Sequence, residues 1–189
     1  MNSRIKVLAT IIATTFTAFA FASPPQTPPP PTDPQIVGIV IAANQIDIDH
    51  AKIALERSKN KQVREFAQQM ITDHTAVQKS VLALGAKLHV TPADSDTSKS
   101  LKTQAAQTTI ELNSLSGKAF DKFYVDNEVA YHKAVGGVLA NVLIPDAQNA
   151  ELKSALQGAQ PIFEGHLQHA ESLQATLAGT STTSMNMSK

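Results

Sequence analysis

An imidazole interrupts an apolar stripe in the segment FAQQMITDHTAVQKSV. Phe66, Met70, Val77 and Val81 recur at steps of three and four, and His74 falls on the same line. Three other stripes are interrupted in the same way. Asp47 continues the line Ile36–Val40–Ala43, with His50 three residues on. Glu128 and His132 lie on Val125–Glu128–His132–Val135–Leu139, and His166 and His169 on Ile162–His166–His169–Leu173. Residues three or four apart share one face of a helix, so each pair can act together. Buried ionisable groups are unfavourable unless they are paired, hydrogen-bonded or bound to a cation. Imidazole nitrogens with carboxylate oxygens, and no thiolate, suit Fe, Mn, Zn or Cu. The candidate metal ligands are therefore Asp47, His74, Glu128, His132 and His166; the weaker ones are His50 and His169, at the edges of their stripes, and Asp73, beside His74 in the chain. A metal-free network, in which Asp47 and Glu128 orient the imidazoles, answers the same burial constraint and is the alternative.

The elements that would position these groups are helices. Apolar or small residues recur with three-four spacing from 35 to 58, and again from Val63 to Leu88. A short break at Asn60-Lys61 separates the two. HVTPADSDTS interrupts the pattern, a shorter and more polar helix fills 96 to 113, and Ser116-Gly117 opens a third long helix that Pro145 ends. The last runs to about Leu177, with Pro161 inside it; a proline there removes a backbone donor and predicts a kink, which could open space for a small ligand. No strand-like alternation occurs, so the fold class is all-α. Tight first and last connections predict two antiparallel hairpins. The long connection from about 89 to 116 lets the second and third long helices run parallel, as in ferritin-like four-helix bundles.

Counting along the hairpins predicts heights. Asp47 and His74 are nearly equidistant from Asn60 and should lie level. A second fold at 145–146 places Glu128 within a turn of His166 but leaves His132 about two turns away from it. The expected layer is thus Asp47–His74–Glu128–His166. Asp73, about 100° around the helix from His74, faces a neighbouring helix instead. No Glu-x-x-His occurs, so the carboxylates fall short of those of a bridged di-iron centre.

The ends predict export. Arg4 and Lys6 precede the apolar run VLATIIATTFTAFAF, and Ala20-Phe21-Ala22 gives the small-x-small pattern of a cleavage site. Residues 1–22 read as a signal peptide, too short in its apolar part for a membrane span, and the mature chain as periplasmic or secreted. Without Arg4 and Lys6 the 16 basic residues fall to 14 against 16 acidic, a formal charge of −2. Scattered cations and few aromatics argue against nucleic acid as a partner. With no cysteine, neither a disulfide framework nor a cysteine nucleophile is available. Residues 23–34 form a linker whose PPQTPPPPTDP holds seven of the ten prolines. Residues 35–178 form the bundle, and 179–189 read as a disordered tail. Gly117-Lys118 lacks the rest of a phosphate loop, and no Gly-x-Ser-x-Gly elbow occurs.

FAQQMITDHT, LSGKAFDKFY followed eight residues later by HKAV, and Pro161-x4-His166-Leu167 resemble an exported bacterial family, domain-of-unknown-function family 4142. The resemblance covers roughly residues 36 to 177. It implies a ferritin-like fold and places Asp73, His74, Phe120, Asp121, Tyr124, His132 and His166 at motif positions; at Asp47 the family usually shows a glutamate. Two functions are expected from all this. One is transition-metal binding with a redox or stress-related role. The other is an envelope interaction module, with the proline tether giving reach and the polar core serving as a hydrogen-bond network only.

Overall fold

A computed structural model describes residues 29–186, with side chains described as far as Gly179. The expected signal peptide and most of the proline linker lie outside the described residues. The elements are α1 (Asp33–Arg57), α2 (Lys61–Lys87), α3 (Asp96–Ser114), α4 (Gly117–Val138), a π-helical stretch Leu139–Leu143, α5 (Ile144–Asp146) and α6 (Ala150–Asn186). No strand occurs among the described residues, and the chain is an all-α helical bundle. No described helix is long and apolar enough to cross a membrane.

Local chemistry sets the boundaries. Helix α1 starts at Asp33, inside the proline-rich stretch, because Thr32 caps it reciprocally with Gln35 and Pro34 occupies a first-turn position that needs no N–H. The Asn60 side chain accepts from the N–H groups of Gln62 and Val63 and opens α2. Two features differ from expectation at the second hairpin. The chain passes through a π-helical turn and continues past Pro145 to Asp146. The bend therefore falls at Ala147–Asn149, where the Asn149 side chain accepts from Glu151 and Leu152 to start α6. Helix α6 then runs unbroken through Pro161 to Asn186, beyond the expected end near Leu177.

Helices α1 and α2 pack as one hairpin and α4 and α6 as another, with α1 beside α4 and α2 beside α6. Helix α3 lies in the long connection and covers the outer side of α1, which explains why α1 is buried on nearly every face. The connection is anchored at Gly38. The N–H of Ala93 donates to the carbonyl of Pro34 at 2.9 Å, and a Cβ built on Gly38 would stand 2.1 Å from the carbonyl oxygen of Ala93. Backbone cannot yield as a flexible side chain would. Gly38→Ala is thus expected to push this loop off α1 and lower stability by about 1–3 kcal/mol, measurable as a shifted urea midpoint by circular dichroism.

The core is divided. One apolar cluster joins Ile36, Val40, Val81, Val135, Leu139, Leu156 and Phe163. A second joins Ala54, Phe66, Met70, Phe120, Tyr124, Ala170 and Leu173. On each long helix a buried polar residue falls between the two: Asp47 on α1, His74 on α2, Glu128 and His132 on α4, His166 on α6.

Candidate metal centre

These five side chains meet in one layer, each no more than 2% exposed. One ligand atom each from His74, His132 and His166 lie within 4.8 Å of one another, and so do ligand atoms from Asp47, Glu128 and His132. His132 belongs to both triads. These buried groups could hold a metal ion.

The expected layer is corrected on one point: His132 stands beside His166, with ring centroids 5.4 Å apart, rather than two turns off. Moving the bend from 145–146 to Ala147–Asn149 shifts the partner of any α4 residue by twice as many positions, about one and a half turns, which brings His132 to within a turn of His166. Glu128 accordingly lies one turn further along the bundle and shares its triad with Asp47 and His132. Asp47 and His74 are level as counted, with Oδ2 of Asp47 3.2 Å from Nε2 of His74.

Each imidazole has one nitrogen engaged and the other turned inward. Nδ1–H of His74 donates to Oδ1 of Asn44 at 2.8 Å, and the Asn44 amide in turn donates to the carbonyl of Val40 at 2.7 Å. Nδ1–H of His132 donates to the carbonyl of Glu128 at 3.0 Å. Nε2–H of His166 donates to Oδ2 of Asp73 at 2.9 Å. With those protons placed, Nε2 of His74, Nε2 of His132 and Nδ1 of His166 keep their lone pairs, and all three atoms are buried without a hydrogen bond. Both oxygens of Asp47 and of Glu128 are likewise unpartnered. Oδ2 of Asp47 also lies 3.5 Å from Nε2 of His132, so it reaches two of the three inward nitrogens.

Burial sets the protonation. Desolvation pushes the Asp47 carboxyl up to about 8, and holds Glu128 well above its usual value, with the nearby Asp47 adding to the effect. Desolvation, reinforced by the neighbouring imidazoles, lowers His74 to about 2; it lowers His132 to about 4 and also lowers His166. The layer therefore holds neutral imidazoles beside two carboxyls that need either protons or a cation. Tyr124, one turn before Glu128, is fully buried and its hydroxyl has no hydrogen-bond partner. Burial and the two carboxyls push that phenol well above its usual value.

The edge candidates lie apart from the layer. His50 is buried but turns to α3, with Nε2 3.3 Å from the carbonyl of Ala105 and 3.2 Å from the hydroxyl of Thr109. His169 is exposed and pairs with Gln69 at 3.0 Å, its ring edge-on to Phe66. Asp73 faces His166, as its angular offset from His74 predicts. Of the motif residues, Phe120 stacks on Tyr124, and Asp121 accepts from the Ser58 hydroxyl at 2.5 Å, tying α4 to the first hairpin turn. Asn44 is the residue that sequence reasoning missed. Its position three residues before Asp47, on the same buried line, was the available signal.

No curated protein and no solved structure matches this chain. A family model described as "Domain of unknown function (DUF4142)" matches residues 18–173, a span that takes in every residue of the polar layer. The chain carrying this cluster belongs to that family.

Proposed function

We propose that the protein is an exported, ferritin-like four-helix bundle that binds a transition-metal ion in its polar layer, with a redox or stress-related role. The ferritin-like reading rests on two hairpins joined by a long helical connection, with α1 beside α4 and α2 beside α6. Export rests on the n-region, apolar run and small-x-small pattern at the N-terminus. One observation carries the metal reading. Three inward lone pairs on fixed imidazoles converge, and each ring's outer N–H is held by a carbonyl, an amide or a carboxylate. Such outer partners orient metal-bound imidazoles and raise their basicity. His74, His132 and His166 would supply nitrogens, and Asp47 an oxygen from the carboxylate side, with Glu128 reached through the triad around His132. Fe, Mn, Zn and Cu are all compatible with these donors. A divalent ion would take the place of the two protons that burial otherwise imposes on Asp47 and Glu128.

Elemental analysis after equilibration with Fe, Mn, Zn and Cu and exhaustive dialysis is the test. The expected result is stoichiometric retention of at least one of these metals. Asn44→Leu, which releases Nδ1 of His74, is expected to weaken affinity by roughly 10–100-fold, the usual effect of losing an outer partner. If no metal is retained by the folded wild-type protein, the layer is a hydrogen-bond network and the envelope-module reading takes over.

A further inference from the structure

A half-open cavity of about 910 Å³ adjoins the polar layer on the Phe163 side, walled by α1, α2, α3, α4 and α6. Its inner walls are aliphatic, with Val40 from α1, Val81 from α2, Val135 from α4, Leu139 from the π-helical stretch and Leu156 from α6. A close-packed core leaves few voids larger than a water molecule, whereas ligand pockets run from roughly 300 to 1,000 Å³. This space belongs to the second class.

Two observations connect it with ligand binding. The cavity ends at the imidazoles, because Asn44 and Asp73, which hold His74 and His166, also line it. So does Phe163, whose ring lies 5.4 Å from that of His74 and 5.9 Å from that of His132. Small residues of α6 form part of the cavity rim, where Ala155 and Gly158 are exposed and Ala159 is half-buried. Ala155, Gly158 and Ala159 line it, and a Cβ built on Gly158 would meet nothing within 4 Å. An added Cβ at Gly158 would be free of contacts, so the glycine there does not serve to bring two backbones together.

Charge narrows the occupant. Among the described lining residues the ionisable ones are Asp73 and Asp96, both acidic. An anionic ligand would be repelled by them with no cation to compensate. Thr97, Ser100 and Gln104 offer neutral hydrogen-bonding groups along the α3 wall. We infer that this cavity binds a neutral, largely apolar small molecule whose inner end meets the imidazole layer across Phe163. The site stands whether or not the layer holds a metal.

The test uses the full chain after chelator treatment, titrated with N-phenyl-1-naphthylamine, a neutral apolar fluorophore. Saturable enhancement at one probe per chain is expected. Gly158→Phe and Ala155→Leu, which fill the space, are expected to weaken binding at least tenfold while keeping the helical circular dichroism of the wild type. cis-Parinaric acid, an apolar anion, is expected to bind at least tenfold more weakly than the neutral probe. The inference is overturned by absence of saturable binding, by unchanged affinity in whichever of the two variants folds, or by equal affinity for the anion. It is also overturned if sedimentation shows a concentration-dependent dimer that excludes the probe, since a second copy would then fill the cleft.

Discussion

Replacing His132 with alanine is expected to abolish stoichiometric metal retention, lowering affinity by more than about 100-fold, beyond the usual loss from an outer partner. His132 is the one residue common to both ligand triads, so its removal strips a donor from each. Its inward nitrogen lies 3.5 Å from Asp47, and its ring stands edge-on to that of His166. Alanine at His50 or His169 should change affinity by less than about twofold, because those rings face α3 and the surface. Competition against a chelating dye would rank the variants, with elemental analysis for stoichiometry and circular dichroism to confirm folding. His132→Gln, closer in volume, serves if the alanine variant does not fold. Full metal content in either folded variant would refute the ligand assignment.

The second large effect is a pH dependence that metal should invert. Without metal, the folded protein keeps a proton on Asp47 up to about 8, and on Glu128 well above the ordinary range, where the unfolded chain has released both. Stability from these groups is therefore present at low pH and lost as pH rises, at about 1.4 kcal/mol per pH unit for each. The imidazoles act oppositely. His74, lowered to about 2, and His132, to about 4, stay neutral in the folded state while the unfolded chain protonates them below 6.5. Their contribution grows with pH and is complete above 6.5. Between roughly pH 4.5 and 6.5 the two sets oppose each other; above it only the carboxyl loss remains. Metal-free protein should thus show a Tm that falls as pH rises above about 6.5. Bound metal displaces the carboxyl protons, so its affinity should climb across that interval and the gap between the two melting curves should widen. Calorimetry at pH 5.5, 6.5, 7.5 and 8.5 would show it. Asp47→Asn should lessen the metal-free decline, and a Tm indifferent to pH in the wild type would contradict the protonation argument.

Much of this was legible in the chain, for identifiable reasons. Four long helices announce themselves because apolar residues recur at three and four, and Asp47 opposite His74 follows from counting outward from a turn that Asn60 caps. The same counting failed for His132. It assumed that Pro145 stops the helix, whereas the π-helical turn carries the chain past it and moves the bend. His50 was ambiguous because periodicity along α1 does not disclose that α3 covers its outer side. Asp73 was placed correctly by its angle alone. The cavity had no signal in the sequence: Pro161, expected to open space by a kink, is not among its lining residues, and the space depends on how far apart the helices settle. Asn44 was passed over because an amide among apolar residues looks inert until an imidazole donates to it.

The split core has one more effect. Sliding α1 or α4 along its neighbours by a single turn would drive Asp47 or Glu128 in among aliphatic and aromatic side chains and bring an apolar residue opposite the polar centre. Stranding a buried charge or donor in that way costs several kcal/mol, a large part of the stability of an ordinary domain. Groups gathered for chemistry thereby also act as an alignment key, excluding the mispacked assemblies that four uniformly greasy rods would tolerate.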